Sequence, residues 1–201
     1  MSSDSKRVFT EIYKDNKWDN EESVSGSGST QSATRFLVQQ LNALIQRFDI
    51  RSILDIPCGD FNWMQHLTLD GIDYHGADIV SELIAANQVR FPQHRFSVLD
   101  LITDDLPAAD LIICRDCMVH LPNDSVLRAL TNIRRSSSRF LLATTFVWDG
   151  IPNLNVQTGQ WRKLNLELAP FNLPRPDALI VEGTYQDKSM GLWPTYQLPK
   201  D

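Results

Sequence analysis

Short apolar runs and amphipathic stretches alternate through the middle of this 201-residue chain. The apolar runs predict five strands, over residues 52–56, 73–77, 95–99, 110–114 and 139–146. Helical spacing predicts helices over residues 30–48, 62–67, 80–90 and 124–134. Most of these strands are apolar along their length, which is typical of strands covered on both faces. The alternation predicts an α/β fold built on a doubly wound, mostly parallel sheet.

The N-terminal region has a different pattern. Phe9, Ile12 and Tyr13 have the spacing of a short amphipathic helix. The Gly/Ser-rich stretch that follows, residues 25–29, is typical of a flexible linker, although here it precedes a helix and not a second domain. Ser29 or Thr30 is placed to cap the helix predicted over residues 30–48.

The C-terminal region also departs from the alternation. Residues 151–176 contain four prolines and no clear period, so we expect a loop with at most one helical turn. The runs "DALIVEGTY" (177–185) and "GLWPTYQL" (191–198) predict two final strands, which we expect to form an antiparallel pair.

The length of the chain favours a single domain, and its charge limits the partners. A net charge of −6 argues against nucleic acid, because phosphate contacts require a basic surface. No apolar run reaches the roughly 18 residues that span a bilayer, and the N-terminus lacks the apolar core of a signal peptide. We therefore expect a cytoplasmic protein with no membrane partner, and the sequence leaves its oligomeric state open.

Polar side chains follow the ends of the first four predicted strands. Because ligands of open parallel sheets bind at the carboxyl ends of the strands, these residues are the candidate site. They are Asp55, Pro57, Cys58, Gly59, Asp60 and Trp63 after the first strand, Asp78 and Ile79 after the second, Asp100 and Leu101 after the third, and Arg115, Asp116, Cys117 and His120 after the fourth.

The first of these loops favours one class of cofactor. The spacing of Asp55 and Asp78 suits a carboxylate on the hydroxyls of a ribose, in NAD as well as in other nucleosides. However, "CGDFNWM" lacks the later glycines of a GxGxxG fingerprint, and Asp60 adds a negative charge where a pyrophosphate would bind. A cationic ligand without phosphate, such as S-adenosylmethionine, fits better. An NAD-linked reductase remains the alternative.

The motifs "ILDIPCGDFNW", "YHGADI", "VLDLITDDLP" and "DLIICRDCMVHLP" resemble, in order, those of class I S-adenosylmethionine-dependent methyltransferases over residues 50–147. The loop departs from the family pattern, since Pro57 stands where glycine is common and Phe61 lies near the missing second glycine. The resemblance implies a Rossmann-like methyltransferase fold. It assigns the ribose hydroxyls to Asp78, and the adenine amino group to Asp100 with Leu101 beside it.

The resemblance implies further roles for residues of the same motifs. Asp55 and Gly59 would line the methionine end of the cofactor, and Arg115 and Asp116 would lie next to it. The full predicted cofactor set is Tyr13, Trp18, Asp55, Pro57, Cys58, Gly59, Asp60, Trp63, Asp78, Ile79, Asp100, Leu101 and Arg115.

The N-terminal segment gains a role from the same resemblance, because methyltransferases of this family often fold their N-terminus over the cofactor. We therefore expect residues 1–29 to act as a helical lid on a methyltransferase domain over residues 30–201, with Tyr13 and Trp18 as its aromatic cover. The alternative is that these rings pack the helix onto the sheet. Gly26 and Gly28 would either present backbone amides to the methionine carboxylate or provide flexibility.

The flanks "FTEIYKDNKW…ESVSGSGS" and "GQWRKLNLELAPFNLPRP…IVEG" resemble small bacterial methyltransferases linked to glycans and related small molecules. A hydroxyl acceptor requires a base, for which His120 is the first candidate and Asp116 the second, although His120 could instead cap or pack. We expect Trp161, Arg162 and Arg175 to bind the acceptor, unless they form a solvated loop. N- or carboxyl-methylation and non-catalytic S-adenosylmethionine binding remain alternatives.

A metal site is the last alternative. Cys114, Cys117 and His120 have C-x2-C-x2-H spacing, and Cys58 could approach the same place. Cys114 ends an apolar strand, however, so its side chain should point into a face of the sheet, and the chain has no second C-x2-C pair. We therefore expect no metal, and three cysteines do not make a disulfide framework.

Overall fold

The computed structural model describes residues 2–147, 152–183 and 187–200. Seven strands form one sheet in the order β3-β2-β1-β4-β5-β7-β6. They are β1 Ser52–Asp55, β2 Asp73–Asp78, β3 Arg95–Val98, β4 Leu111–Cys114, β5 Phe140–Phe146, β6 Ala178–Val181 and β7 Lys188–Pro194. The first five strands are parallel, whereas β7 runs antiparallel to both β5 and β6. This confirms the predicted fold, including the antiparallel final pair.

Four α-helices accompany the sheet: α1 Ser2–Lys14, α2 Gln31–Arg47, α3 Ser81–Arg90 and α4 Asn123–Arg135. The apolar faces of α2 and α3 contribute to one hydrophobic core, and α4 contributes to a second. Successive residues of β1 alternate between them, since Ile53 packs in the first core and Leu54 in the second. The sheet is therefore covered on both faces, which explains its apolar strands. No described helix is long and apolar enough to span a membrane.

The hydrogen bonds at the start of α2 decide between the two predicted caps. The Thr30 side chain accepts a hydrogen bond from the backbone N–H of Ala33 at 3.3 Å, so Thr30 is the cap. Ser29 instead ends a short 3₁₀ turn, Ser27–Ser29.

Two local predictions are wrong, whereas the Pro-rich segment agrees with the expected loop, since described residues 152–177 form turns and no helix. Residues 62–67 form a 3₁₀ turn at Met64–His66 and not a helix, because so short a segment gains few helical hydrogen bonds. The last strand begins three residues earlier than predicted, at Lys188, and ends at Pro194, where the proline leads into a 3₁₀ turn. Thr184 and Tyr185 of the preceding predicted strand lie outside the described residues.

Candidate active site

A cavity of about 310 Å³ opens at the carboxyl edge of the parallel strands. Almost all of the predicted cofactor residues line it: Tyr13, Trp18, Pro57, Cys58, Gly59, Asp60, Trp63, Asp78, Ile79, Asp100, Leu101 and Arg115. Asp116, His120, Phe146, Trp161 and Lys188 line it as well. After the ligands expected from the sequence, we call the part beyond β2 and β3 the cofactor half, and the part beyond β4, β5 and β7 the acceptor half.

Asp55 is the exception among the predicted cofactor residues. It is fully buried and does not belong to the described cavity lining. Its carboxylate accepts a hydrogen bond from the Tyr74 hydroxyl at 2.8 Å, and burial raises its pKa to about 7. The prediction that Asp55 lines the methionine end is not met, because β1 directs this side chain into the interior.

The path of the β1 loop explains its missing glycine. Gly59 has a φ of 54° and Phe61 a φ of 61°, so a non-glycine residue occupies the left-handed conformation at the second position. That conformation costs an L-residue about 1–2 kcal/mol. The buried Phe61 ring offsets this cost by packing against four other rings, those of Tyr74, Phe91, His94 and Phe96. Pro57 follows a cis peptide bond.

Asp78 fixes the junction between this loop and β2. Its carboxylate accepts from the backbone N–H of Val80 at 3.0 Å and of Gly59 at 3.3 Å. Burial raises the pKa of Asp78 to about 6, although these N–H groups oppose the shift. Since a carboxylate has about four acceptor positions, Asp78 can still accept from a ligand in the cavity.

Asp100 carries an unused acceptor. Its Oδ1 accepts from the backbone N–H of Ile102 at 2.8 Å, whereas its buried Oδ2 has no hydrogen-bond partner among the described residues. An orphaned acceptor on a cavity wall indicates a ligand donor. The amino group of adenine is such a donor, so the lining fits S-adenosylmethionine.

The Gly/Ser-rich stretch is a structured wall of the cavity. We call residues 23–29 the strap. Asp60 holds one end, accepting from the Ser23 hydroxyl and the Val24 backbone N–H at 3.0 Å each and from the Ser25 hydroxyl at 3.3 Å. The Arg115 guanidinium holds the other end, donating to the carbonyl of Gly28 at 2.9 Å. The interpretation of these residues as a flexible linker is therefore wrong, because two buried charged groups fix them.

The acceptor half contains a buried ion-pair network. Arg115 donates to Glu182 at 2.5 Å, and its other terminal nitrogen lies 3.3 Å from Asp116. Lys188 lies 2.6 Å from the same oxygen of Asp116 and 3.4 Å from Glu182. Burial alone would raise the pKa of Asp116, but Arg115 and Lys188 outweigh it and lower the pKa.

Sequence reasoning missed two members of this network, Glu182 and Lys188. The antiparallel course of β7 places its first residue, Lys188, opposite Phe146 at the end of β5. Lys188 therefore lies at the same edge of the sheet as the carboxyl ends of the parallel strands. A lysine at the start of an apolar strand was the only signal in the sequence.

His120 ends a 3₁₀ turn after β4, Met118–His120, and lines the cavity. Its Nδ1 lies 3.2 Å from the carbonyl oxygen of Gln160. Because a carbonyl only accepts, Nδ1 must carry the hydrogen, which leaves Nε2 of the neutral ring with a free lone pair. Burial lowers the pKa of His120, so the ring is neutral at neutral pH. The ring of Trp18 packs beside it at 5.4 Å between centroids.

The three predicted acceptor-binding residues separate in the structure. Trp161 lines the cavity and is 54% exposed, with its ring edge-to-face on Phe146. Arg162 is buried outside the lining and donates to the carbonyls of Met118 and Val119 at 3.0 and 3.1 Å. It supports the turn that carries His120, so the prediction that it binds the acceptor is wrong. Arg175 is exposed and also lies outside the cavity lining.

The cysteines do not assemble with His120. Cys58 and Cys114 are buried, and Cys117 is half-buried. Within the described residues, no three His, Cys, Asp or Glu side chains are grouped to hold a metal ion.

The comparisons with known proteins agree with this fold. A family model described as a methyltransferase domain matches residues 30–180. No curated protein matches the chain.

Several solved structures are similar. Magnesium protoporphyrin IX methyltransferase from Synechocystis PCC 6803 with bound S-adenosylmethionine has a TM-score of 0.63 at 13% identity, covering 94% of this chain and 95% of that one. Human N-acetylserotonin methyltransferase in complex with S-adenosylmethionine has a TM-score of 0.61 at 15% identity, and the match covers 80% of this chain and 52% of that one. A TehB-like S-adenosylmethionine-dependent methyltransferase from Corynebacterium glutamicum has a TM-score of 0.53 at 24% identity, and the match covers 75% of this chain and 84% of that one.

These likenesses show the fold, and this chain spans about half the length of the human one. The family model matches more than half of this chain, which therefore belongs to the methyltransferase domain family.

Proposed function

We propose that the protein transfers the methyl group of S-adenosylmethionine to a hydroxyl of a small polar acceptor, such as a sugar or a related metabolite. The observation that carries this proposal is the neutral His120, which lines the acceptor half and whose hydrogen bond through Nδ1 leaves Nε2 with a free lone pair. A hydroxyl loses its proton when its oxygen takes a methyl group, so it requires such a base.

The cofactor is assigned by the same lining. Asp78 would accept from the ribose hydroxyls, and the free Oδ2 of Asp100 from the adenine amino group. The backbone N–H of Gly28 would meet the methionine carboxylate, whereas that of Gly26 already donates to the carbonyl of Ser23 at 3.0 Å. Residues 1–29 would form the lid over this cofactor, with Tyr13 and Trp18 facing it, because these two residues and residues 24–29 line the cavity.

The residues of the chain then have distinct tasks. Bound S-adenosylmethionine supplies a methyl group on a sulfonium and becomes S-adenosylhomocysteine once the acceptor oxygen has taken that group. His120 takes the hydroxyl proton on Nε2, and its hydrogen bond to Gln160 keeps that nitrogen unprotonated beforehand. The nearby charge of Asp116 favours the imidazolium that forms. Trp18 and Trp161 exclude water and align the acceptor.

The test is a product analysis. Purified protein is incubated with ¹³C-methyl-labelled S-adenosylmethionine and a panel of sugars, amino sugars, carboxylic acids and short peptides, and NMR identifies the methylated atom. We expect methyl ethers of hydroxyl compounds. Methylated amines or esters without any ether would establish the N- or carboxyl-transfer alternative. A cellular small-molecule extract is then added to the panel. Cofactor binding without turnover of any of these acceptors would indicate a binding protein.

A further inference from the structure

Lys188 has capacity for one more hydrogen bond on the wall of the acceptor half. It is 4% exposed and lines the cavity. An ammonium group has three hydrogens, and the described residues provide two carboxylate partners, Asp116 and Glu182. One hydrogen therefore remains for a ligand.

Asp116 offers the complementary acceptor beside it. Its Oδ2 is occupied by Lys188 and Arg115, whereas the one contact of its Oδ1 with a described side chain is a long one, 3.4 Å from the Thr144 hydroxyl. The side chain of Asp116 is 29% exposed and lines the same cavity. A donor and an acceptor thus lie side by side, near the ring of His120.

This pair selects a chemical group. A hydroxyl both accepts from Lys188 and donates to Asp116 through one oxygen atom. A carboxylate or fully ionised phosphate has no hydrogen for Asp116, and an ammonium has no lone pair for Lys188. The pair is therefore complementary to a neutral hydroxyl.

The charges of the lining also disfavour an anionic acceptor. Among the described residues of the cavity wall, the Lys and Arg side chains are Arg115 and Lys188, and both are already paired with Asp116 and Glu182. The lining also contains four aspartates: Asp60, Asp78, Asp100 and Asp116. An anion buried here without a cation of its own would lose its hydration without compensation.

We propose that the acceptor is an uncharged vicinal diol, such as two neighbouring ring hydroxyls of a neutral sugar, and that Lys188 and Asp116 bind the hydroxyl next to the reacting one. This inference rests on the proposed O-methylation. The reacting hydroxyl faces His120, and the rings of Trp18 and Trp161 flank the sugar ring. Lys188 is thus an acceptor-binding residue that determines specificity.

The first experiment varies the acceptor. The probes are methyl hexopyranosides of the gluco, galacto and manno series, their monodeoxy analogues, the matching uronic acids, the 6-phosphates and the 2-amino sugars. We expect a neutral diol to be methylated, and loss of the neighbouring hydroxyl to lower kcat/KM by roughly 10- to 100-fold, since a hydrogen bond to a charged group is lost. The kcat/KM values for the uronic acid and for the 6-phosphate should be lowered at least as much.

The outcomes separate the two proposals. The diol inference is overturned, and O-methylation left standing, if an analogue that lacks the neighbouring hydroxyl reacts at a hydroxyl as well as the diol does. The same conclusion follows if an anionic or amino analogue reacts that well. Methylation at nitrogen or carboxyl alone overturns both. Ligand-observed NMR with the S-adenosylhomocysteine complex measures binding of the same probes without turnover, and failure of every diol to bind also overturns the inference.

The second experiment varies Lys188. Lys188→Met should raise KM for the diol roughly 10- to 100-fold and abolish the preference over the deoxy analogue, with unchanged S-adenosylmethionine affinity. Because this variant leaves a buried carboxylate unbalanced, the double variant Lys188→Met with Glu182→Gln restores the charge balance. Lys163→Met is the matched control, since Lys163 pairs with Asp187 outside the cavity lining. A folded double variant that keeps the preference would overturn the inference.

Discussion

In the cofactor half, the carboxylates of Asp78 and Asp100 accept from backbone N–H groups, whereas in the acceptor half Asp116 is held between Arg115 and Lys188. Burial raises the pKa of Asp78 to about 6, but the two cations lower the pKa of Asp116. The same residue type at the same edge of the sheet therefore has opposite electrostatic environments.

The difference matches the two proposed ligands. A cofactor with a positive sulfonium and hydroxyl donors suits a half whose carboxylates are not already neutralised. A neutral acceptor suits a half whose charges are balanced internally and which presents a base and a donor–acceptor pair. The predictions that follow test this division.

The largest effect is expected for the base. His120→Ala should lower turnover roughly 10²- to 10⁴-fold, because it removes the group that takes the hydroxyl proton. S-adenosylmethionine affinity should remain unchanged, since His120 belongs to the acceptor half. Initial rates with an acceptor that the wild-type protein methylates give the turnover, and calorimetry gives the S-adenosylmethionine affinity. His66→Ala, at an exposed histidine, is the control, and unchanged turnover in His120→Ala would remove His120 from the mechanism.

Arg162 is a buried cation that lies outside both halves of the cavity, so we expect its substitution to change stability and not acceptor binding. Arg162→Ala should lower the free energy of unfolding by about 3 kcal/mol, because it removes the hydrogen bonds of a buried guanidinium to the carbonyls of Met118 and Val119 and to the side chain of Asn123. Arg175→Ala, at an exposed site, should change it by less than about 0.5 kcal/mol. Urea denaturation measures both. Equal stability of the variants, with a raised acceptor KM in Arg162→Ala, would instead return Arg162 to acceptor binding.

The smallest effect concerns pH. Ribose hydroxyls donate to the ionised form of Asp78, so binding of S-adenosylmethionine should lower the pKa of this group from about 6. Affinity should accordingly be constant above that pKa and fall, by roughly tenfold per pH unit at most, as pH decreases below it. Calorimetry between pH 5 and pH 8 would reveal this slope. The control Asp78→Asn should bind more weakly and lack it, and a slope that persists there would assign it to another group.

The cofactor half was largely predictable from the sequence. Asp78 ends β2 and Asp100 follows β3, and the carboxyl ends of parallel strands meet at one edge. Asp55 likewise ends β1, but its side chain accepts from Tyr74 in the interior of the protein and does not belong to the described cavity lining. The chain order of the motifs therefore located the ligand edge, but side-chain direction at a strand end required the structure.

The acceptor half was less predictable, because its parts come from distant segments. Lys188 reaches the site through the antiparallel return of β7, and the strap reaches it through Asp60 and Arg115. Arg162 looked like a surface cation in a Pro-rich loop, yet it is buried beneath the turn of His120. Such pairings depend on tertiary packing and have no local signature in the sequence.

Calorimetric titration of S-adenosylmethionine into the wild-type protein, Asp100→Asn and His120→Ala tests the division of the cavity most directly. Asparagine at position 100 could keep the hydrogen bond to Ile102 while presenting an amide donor to the adenine amino group. The account predicts a dissociation constant roughly 10- to 100-fold higher for Asp100→Asn and unchanged for His120→Ala. Equal affinity of all three proteins, or a loss confined to His120→Ala, would contradict it.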